Sequence, residues 1–334
     1  MRILIPGGSG QVGTLLARHL HTSGHQVTVL SRNPHPAPWR TLPWDGLNPG
    51  PWVDDLNQSD AVIHLSGRTV NCRYTPEHRR EIIDSRVLPT LLLGRLIADS
   101  TTPPRIWLNA SSATGYRHSI NQPNDEFTGV PADLPAQHAA GGVHEPGSLP
   151  ETWSFSADVT QRWEAALTES STPHTRKIRL RTTLVMSPDA GGVFSVLSKL
   201  TRLGLGGTQG PGTQYVSWIH DLDYCHAIDL LLAQPEVTDE TAGVINLAAP
   251  NPEPNRNFMR HLREAWHQPI GIPAWEWMLE LGAIPMQTET ELILKSRRVV
   301  PGVLLKHGFD FVFPTWPEAA RNLVRRTKAG SQKK

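Results

Sequence analysis

The chain has 334 residues and a nearly balanced charge, with 32 Lys and Arg against 31 Asp and Glu. This balance gives no reason to expect nucleic acid or an anionic membrane as a partner. The two cysteines, Cys72 and Cys225, exclude a disulfide framework and suit a reducing compartment. The sequence shows neither an apolar run of roughly 18 residues nor room for a signal peptide before the first predicted strand, so we expect a cytoplasmic protein.

The first predicted element is the strand "RILIP", which leads into the glycine pattern "GGSGQVG" and then into a helix that ends near Gly24. Such glycines allow a tight turn, close approach of the backbone to a pyrophosphate, and close packing of the helix on the sheet. The helix N-terminus then faces the negative charge. An ordinary glycine-rich turn fits this context less well. The predicted dinucleotide cradle consists of Gly7, Gly8, Ser9, Gly10, Gln11, Val12 and Gly13.

The second predicted strand, "QVTVLSR", ends in Ser31 and Arg32. NAD-binding folds usually carry Asp or Glu here, which accepts a hydrogen bond from the ribose 2′-hydroxyl. A guanidinium can instead pair with a 2′-phosphate, and the Ser31 hydroxyl can donate to it. These residues favour NADP(H) over NAD(H). The alternative is that Arg32 only caps the strand or stacks on adenine.

The later elements continue to alternate between strands and helices. A Pro- and Trp-rich segment between Trp39 and Trp52 predicts an elaborated connection. Beyond it we predict strands in "DAVIHLSG", "RIWLNASSATGY" and "TRKIRLRTTLVMSP", and helices in "PEHRREIIDSRVLPTLLLGRLIADS" and "DVTQRWEAALTES". Buried strands that alternate with helices predict a parallel sheet with right-handed crossovers. The predicted fold class is therefore α/β, with a Rossmann-type doubly wound parallel sheet.

Two regions depart from this alternation. Residues 119–154 are rich in Pro and Gly without periodicity, and their position after a strand predicts a lid. From about residue 250, amphipathic helices and a short β segment, "GFDFVFP", predict a smaller C-terminal α+β substrate lobe. The predicted division is a Rossmann domain at 1–188 with its sheet completed by 215–248, a substrate lobe at 189–214 and 249–326, and a disordered basic tail at 327–334.

Motifs spread over nearly the whole chain carry a family resemblance. They are "GGSGQVG", "VIHLSGRTVNCRYT", "REIIDSRVLPT", "NASSATGY", "RWEAA", "RLGLGGTQGPGTQYVSWIH", "NLAAPNP" and "ILKSRRVVPGVLLKHGFDFVFP". Together they resemble the extended branch of the short-chain dehydrogenase/reductase superfamily. The narrower resemblance is to its atypical SulA-like "nucleoside-diphosphate-sugar epimerase" subgroup, which ends in a DUF1731-type domain. It implies NADP(H) on the glycine loop, with further cofactor contacts from Leu65, Ser66, Glu81, Arg86 and Val185.

The usual acid/base pair of that superfamily is absent from this sequence. Its members use a Tyr, a Lys four residues later, and a Ser that polarises the reacting oxygen. Ser112 in "SSATGY" matches the Ser, but no Tyr of this chain is followed by Lys at that spacing. The corresponding helix, "WSFSADVTQRWEAA", has Phe155 or Ser156 at the Tyr position and Val159 or Thr160 at the Lys position.

Tyr116 and Cys72 are the candidates to replace the missing pair. Tyr116 lies four residues after Ser112, and Cys72 follows a strand at the edge where open α/β sheets bind ligands. Cys72 can serve as an acid or nucleophile if its environment depresses the thiol pKa. The alternatives stay open: Tyr116 as a packing residue or ribose contact, and Cys72 as an inert apolar residue.

Other polar clusters carry weaker signals. The chain has 15 His but no His-Glu-x-x-His motif and no Cys/His cluster at zinc spacing, so we expect no metal. The acids in "SWIHDLDYCHAI" are interpreted as a helix cap or a brace between lobes. Lys295, Arg297 and Arg298 in "KSRRVVP" either bind a substrate phosphate or form a solvated basic helix end.

Three functions are compatible with these features. The favoured one is an NADP(H)-dependent oxidoreductase or epimerase that acts on a small, nucleotide-sugar-like substrate, since the loop and Ser112 are intact. The missing Tyr and Lys favour the alternative, an NADP(H)-binding sensor or regulatory protein without turnover. A structural Rossmann protein that binds nothing is disfavoured by the retained glycines. By analogy with extended relatives, we expect a homodimer through the helices "PEHRREIIDSRVLPTLLLGRLIADS" and "DVTQRWEAALTES".

Overall fold

The computed structural model describes residues 1–132, 151–274 and 291–331. Its strands are β1 (Arg2–Pro6), β2 (Gln26–Ser31), β3 (Arg40–Pro43), β4 (Ala61–His64), β5 (Ile106–Ser112), β6 (Arg176–Thr182), β7 (Leu184–Met186), β8 (Tyr215–Val216), β9 (Trp218–His220), β10 (Val244–Leu247) and β11 (Glu253–Pro254). Its α-helices are α1 (Gln11–Thr22), α2 (Val53–Asn57), α3 (Pro76–Ala98), α4 (Glu151–Glu169), α5 (Val193–Arg202), α6 (Asp221–Ala233), α7 (Asn255–Trp266), α8 (Glu291–Leu294), α9 (Gly302–Lys306) and α10 (Trp316–Ser331). In these ranges, no helix combines the length and apolar character needed to cross a membrane.

Seven parallel strands form the central sheet, in the order β10-β6-β5-β4-β1-β2-β3. The direction of strand addition reverses between β1 and β4, and ligands of such sheets bind beyond the strand ends at this point. The structure confirms the predicted α/β class and doubly wound parallel sheet. It adds β3, which lies in the segment predicted as an elaborated connection and pairs with β2.

Both faces of the sheet are covered by apolar side chains, which explains why its strands read as apolar runs. Along β1, Ile3 and Ile5 point to one face, where they join a cluster with α1 and α6. Leu4 points to the other face and packs in a cluster with Trp107 and residues of α3. Successive side chains of a strand alternate between faces, so one strand contributes to both cores.

A second apolar core lies among α5, α7 and α10. Its centre is the stack of Phe258 on Trp316, with ring centroids 4.0 Å apart. The Trp316 Nε1 donates to the Phe258 carbonyl at 2.9 Å, which satisfies the polar atom of a fully buried indole. This cluster is the core of the region predicted as the substrate lobe.

The prediction of a β strand in "GFDFVFP" is wrong, because residues 308–314 form no strand. The backbone N–H groups of Val312 and Phe313 donate to the buried Asp223 carboxylate at 2.7 and 3.1 Å. The alternating apolar pattern favours a strand locally. The two N–H groups donate to the carboxylate at the start of α6, however, so they are not available to a neighbouring strand. Asp223 therefore braces the C-terminal region, as one of the two interpretations of "SWIHDLDYCHAI" has it.

The prediction of a disordered tail at 327–334 is wrong for residues 327–331, because α10 continues to Ser331. The Arg326 guanidinium donates to both carboxylate oxygens of Asp221 at 2.7 and 2.8 Å. Such a two-bond ion pair is geometrically specific, and it holds the C-terminal helix against the first turn of α6. Residues 332–334 lie outside the described ranges.

The segment predicted as a lid is described only in part. Residues 119–132 pack along residues 296–303: the Asn124 N–H donates to the Arg298 carbonyl at 2.8 Å, and the Val300 N–H donates to the Asn124 carbonyl at 3.0 Å. Residues 133–150 lie outside the described ranges, so the lid stays a prediction.

Replacing Arg326 tests the attachment of the C-terminal helix. Burial opposes ionisation of Asp221, but hydrogen bonds from His220 and Arg326 outweigh it and lower the Asp221 pKa to about 2. We expect Arg326→Met to reduce the free energy of unfolding at pH 7 by about 2 kcal/mol, since Arg326 is partly exposed and screened. Urea unfolding measures this loss, and Arg325→Met, an exposed neighbour on the same helix, is the control.

The pH dependence gives the sign of the effect. The folded-state pKa of Asp221 lies below its ordinary value of 3.8, so its stabilising contribution is present above that value and disappears as the pH falls towards 2. In Arg326→Met the pKa rises, and acid unfolding moves to higher pH. Identical urea and acid unfolding of the two variants would contradict this account.

Candidate cofactor and active site

The turn after β1 brings three elements into close contact. Gly7 has φ +76°, and a Cβ there would lie 2.6 Å from the Ser66 Cα, so the chain after β4 touches the turn directly. A Cβ at Gly13 would lie 2.5 Å from the Gly8 Cα. Only residues without side chains allow α1 to lie this close to the turn. The N-terminus of α1 is thereby fixed at the carboxyl edge of the sheet.

Gly10 stands at the N-cap of α1, in an extended conformation with φ −71° and ψ 173°. A Cβ built there would meet no heavy atom of the described residues within 4 Å. The first turn of α1 contains no acidic side chain, and its leading N–H groups have no partner within the helix. Open space in front of such a helix end fits a pyrophosphate.

A cleft of about 650 Å³ extends from this turn along the carboxyl ends of β1, β2 and β4. It brings together eight of the predicted cofactor residues, namely Gly7, Ser9, Gly10, Ser31, Arg32, Leu65, Ser66 and Glu81. The chain after β3, which includes Trp44, Asp45 and Leu47, forms the opposite wall. Sequence reasoning missed this wall, because the Trp- and Pro-rich segment carries no motif that assigns it to the cleft.

The end of β2 presents hydroxyl and guanidinium groups to the cleft. The Ser31 Oγ donates to the Ser9 Oγ at 2.8 Å, which links the second strand to the glycine loop. Arg32 is exposed. An acidic residue also lines the cleft, but hydrogen bonds from the Asn48 side chain and from the Leu47 and Asn48 N–H groups hold the Asp45 pKa down to about 2. The Asp45 carboxylate is therefore engaged in its own turn.

Glu81 and Arg86, both on α3, occupy different places. Glu81 lies at the cleft and pairs with Arg68 at 3.1 Å. Arg86 lies behind the cleft wall and donates to the Arg68 carbonyl at 3.1 Å and to the Ile82 carbonyl at 2.8 Å. Burial lowers the Arg86 pKa to about 10, which leaves it charged at neutral pH. Arg86 thus supports the chain after β4. The last of the implied cofactor contacts, Val185, is buried in β7.

Ser112 ends β5 next to α4. Its Oγ accepts hydrogen bonds from the Thr114 N–H at 3.2 Å and from the Thr114 Oγ1 at 2.9 Å. The Thr114 hydroxyl in turn lies 3.2 Å from the hydroxyl of Thr160, one of the two residues predicted at the missing Lys position. Through Thr114, the structure therefore connects Ser112 to α4, the helix predicted to correspond to the one bearing the acid/base pair.

The surroundings of Tyr116 agree with the alternative of a packing residue, and its catalytic role stays a prediction. It is buried, its hydroxyl donates to the Asn246 Oδ1 at 3.0 Å, and the Arg181 guanidinium lies 4.8 Å from its ring centroid. Burial raises its pKa, which is the opposite of what a phenolate base requires.

Cys72 packs in an apolar cluster with Tyr74, Phe155 and Val159. Its Sγ lies 3.6 Å from the Arg68 Nη1 and 3.8 Å from the Thr69 carbonyl. These surroundings agree with the alternative of a small apolar residue, and the catalytic role of Cys72 stays a prediction.

Lys295 was expected either to bind a phosphate or to lie at a solvated helix end, and the second expectation is wrong. Only 2% of its surface is exposed, and its Nζ donates to the Thr114 carbonyl at 3.2 Å and to the Trp153 carbonyl at 3.5 Å. Its ion-pair partner is Glu291, four residues earlier. The four-residue spacing of Glu291 and Lys295 is the sequence feature that could have indicated this ion pair. Arg298 instead donates to the carbonyls of Ile120 and Asn121.

Two family models match the sequence. The model of the NAD dependent epimerase/dehydratase family matches residues 3–135, and the model of a domain of unknown function, DUF1731, matches residues 276–323. Over residues 3–135 the chain is similar to the NAD dependent epimerase/dehydratase family. Within the part that the structure describes, no three His, Cys, Asp or Glu side chains are grouped as a metal site would require.

Two relatives that are named epimerase family proteins match along nearly their whole length. Epimerase family protein SDR39U1 of Bos taurus is 29% identical over 328 residues, which cover 97% of this chain and 100% of the relative. Epimerase family protein SA0724 of Staphylococcus aureus is 28% identical over 323 residues, with 96% and 98% covered. The chain is therefore similar to these proteins in both its Rossmann part and its C-terminal part.

Solved structures give the same fold. Human SDR39U1 (isoform 2) with NADPH aligns with a TM-score of 0.78 at 26% identity, covering 97% of this chain and 99% of that one. A nucleoside-diphosphate sugar epimerase from Corynebacterium glutamicum aligns with a TM-score of 0.71 at 27% identity, covering 99% of this chain and 60% of that one. The family model and the fold support NAD(P) binding.

A single methyl group at Gly10 tests the position of the dinucleotide. The backbone conformation accepts alanine and the space is open, so we expect Gly10→Ala to melt at the wild-type temperature. Its Cβ would enter the space in front of α1, and NADPH should bind at least about tenfold more weakly, or about 1.4 kcal/mol. Fluorescence titration measures the dissociation constant. Gly330→Ala, another open position, is the control, and wild-type affinity in Gly10→Ala would exclude this location.

Proposed function

We propose that this protein is an NADP(H)-dependent oxidoreductase or epimerase that acts on a small, nucleotide-sugar-like substrate without a Tyr-x-x-x-Lys pair. The observation that carries the proposal is the cleft that joins the open N-terminus of α1 to Ser31 and Arg32. A relative of similar length was solved with NADPH, and another is named a nucleoside-diphosphate sugar epimerase. That second name supports the proposed substrate class.

The preference for NADP(H) rests on charge at the end of β2. Arg32 is exposed beside the Ser31 hydroxyl, and a guanidinium can bind a phosphate through two parallel hydrogen bonds. The carboxylate of Asp45 lies in the same cleft but accepts three hydrogen bonds from its own turn. It is therefore less able to accept from a free 2′-hydroxyl, which NAD(H) would offer.

Different parts of the chain have different proposed roles in the reaction. When bound, the dinucleotide supplies or accepts a hydride at its nicotinamide end. The glycine loop holds the pyrophosphate, and Arg32 with Ser31 holds the adenosine end. Ser112 provides a hydroxyl at the end of β5 that can donate to a substrate oxygen and polarise it, with Thr114 orienting it. The C-terminal region, with its own core around Phe258 and Trp316, is the proposed substrate lobe.

A sensor or regulatory protein without turnover is the second candidate. It is favoured by α4, where Phe155 packs on Tyr74 with ring centroids 4.9 Å apart, and Val159 joins the same apolar cluster. An apolar surface where relatives carry the acid/base pair is compatible with binding alone. Turnover separates the two candidates.

The cofactor preference can be tested by thermal unfolding. A ligand at about 100 times its dissociation constant adds roughly 2.7 kcal/mol to the free energy of unfolding. We expect NADPH to raise the melting temperature clearly more than NADH, and Arg32→Ala to abolish the difference by weakening NADPH alone. Arg321→Ala, an exposed arginine on α10, should behave as wild type. Equal shifts with both nucleotides would contradict the role of Arg32.

Turnover can be tested with NADPH and panels of carbonyl compounds and nucleotide sugars. We expect the wild type to oxidise NADPH, or to isomerise a sugar nucleotide, with at least one compound of the panel. Ser112→Ala should lower kcat about 100-fold and keep NADPH affinity, since the hydroxyl acts on the substrate oxygen. Ser195→Ala, a partly buried serine of α5, is the control. NADPH binding without any turnover would favour the sensor.

A further inference from the structure

Lys295 and Glu291 form a buried ion pair against α4. Both lie in the stretch 291–303, which we call the C-terminal segment. Lys295 Nζ and Glu291 Oε1 are 3.6 Å apart, and Glu291 is fully buried. Burying two charges costs several kcal/mol for each ion, and a well-packed apolar pair is often at least as stable. A buried pair next to a reaction site is therefore a candidate for chemistry as well as for packing.

The ion pair contacts the predicted position of the missing Tyr and also the residue that binds Ser112. Glu291 accepts a hydrogen bond from the Ser156 hydroxyl, and Ser156 is one of the two residues predicted at the Tyr position. Lys295 donates to the carbonyl of Thr114, and the hydroxyl of the same Thr114 donates to the Oγ of Ser112. Thr114 thus contacts both the Lys295 ammonium and Ser112. Ser112 is the one residue of the usual Ser, Tyr and Lys that this chain retains.

We propose that Lys295 transfers the proton at this site, with Glu291 as its positioning residue, so that the C-terminal segment replaces the missing Tyr and Lys. The inference rests on the proposed function. In the reducing direction, a substrate carbonyl carbon accepts a hydride from NADPH, and its oxygen accepts a proton from the Lys295 ammonium. The resulting neutral amine regains a proton from water. In the oxidising direction, the neutral Lys295 amine would accept the proton of an alcohol hydroxyl as the alcohol carbon gives up its hydride to a bound NADP⁺.

The electrostatic surroundings suit a proton that can be given and recovered near neutral pH. Burial lowers the Lys295 pKa to about 8, although the negative charge of Glu291 opposes the shift. Among the described residues, the ionisable side chains that act on this pair are Glu291, Arg297 and His118, with Tyr74 acting through Arg297. Arg297 strengthens the effect of burial on Lys295, because a neighbouring positive charge disfavours the ammonium form.

The test uses cofactor binding, so it needs no substrate. The oxidised nicotinamide carries a positive charge and the reduced one does not, so a protonated Lys295 beside it weakens NADP⁺ relative to NADPH. We expect the ratio of the dissociation constants, NADP⁺ over NADPH, to fall roughly tenfold between pH 6.5 and 9.5, with its midpoint near the Lys295 pKa of about 8. The 2′-phosphate is common to both ligands, so its titration cancels in the ratio.

Three variants distinguish proton transfer from a purely structural pair. In Lys295→Met the ratio should be low and independent of pH, whereas in Lys295→Arg, which stays charged, it should be high and independent of pH. Glu291→Gln removes the charge that favours the ammonium, so the midpoint should move to lower pH. Lys306→Met, an exposed lysine on α9, should retain the wild-type curve.

The outcomes separate this inference from the proposed function. A wild-type ratio that does not change with pH, in a protein that binds NADPH, overturns the role of Lys295 and leaves the cofactor proposal standing. A pH-dependent ratio that persists in both Lys295→Met and Lys295→Arg also overturns it. If neither nucleotide binds at any pH, both proposals fall together.

Discussion

The close contact between α1 and the turn after β1 is the constraint on which the site depends. A Cβ at Gly13 would overlap the Gly8 backbone, so the helix can reach its position only with glycine there. That position aims the first N–H groups of α1 at the carboxyl edge of the sheet, beside the end of β2 and the chain after β4. The proposed phosphate cradle depends on this close packing, and Ser31, Arg32 and Ser66 line the same cleft.

A second constraint attaches the C-terminal region to the Rossmann sheet. Two buried aspartates in the first turn of α6 bind it at separate points: Asp221 pairs with Arg326 of α10, and Asp223 accepts N–H groups from Val312 and Phe313. Together with the packing of residues 119–132 along 296–303, these contacts bring the C-terminal segment next to α4. These contacts place the Lys295 ammonium at the carbonyl of Thr114, where our proposal gives it the proton transfer.

Local features of the site could be predicted from the sequence, and distant ones could not. The strand–glycine–helix unit and the residues at the end of β2 follow from patterns within a few residues, and the structure brings five of these residues, Gly7, Ser9, Gly10, Ser31 and Arg32, to one cleft. Leu65, Ser66 and Glu81, which the family resemblance implied, line the same cleft. The burial of Lys295 depends on its contact with Thr114, which is 181 residues away, and no local pattern contains that contact. In the segment "GFDFVFP" the local pattern is misleading. It predicts a strand, but the Val312 N–H donates to the buried carboxylate of Asp223, 89 residues earlier, and no strand forms.

The most direct test of the account is a crystal structure of the protein with NADPH. The account predicts the pyrophosphate at the N-terminus of α1 beside Gly10, the 2′-phosphate in contact with Arg32, and the nicotinamide near Ser112. A dinucleotide bound elsewhere, or a 2′-phosphate directed away from Arg32, would contradict it.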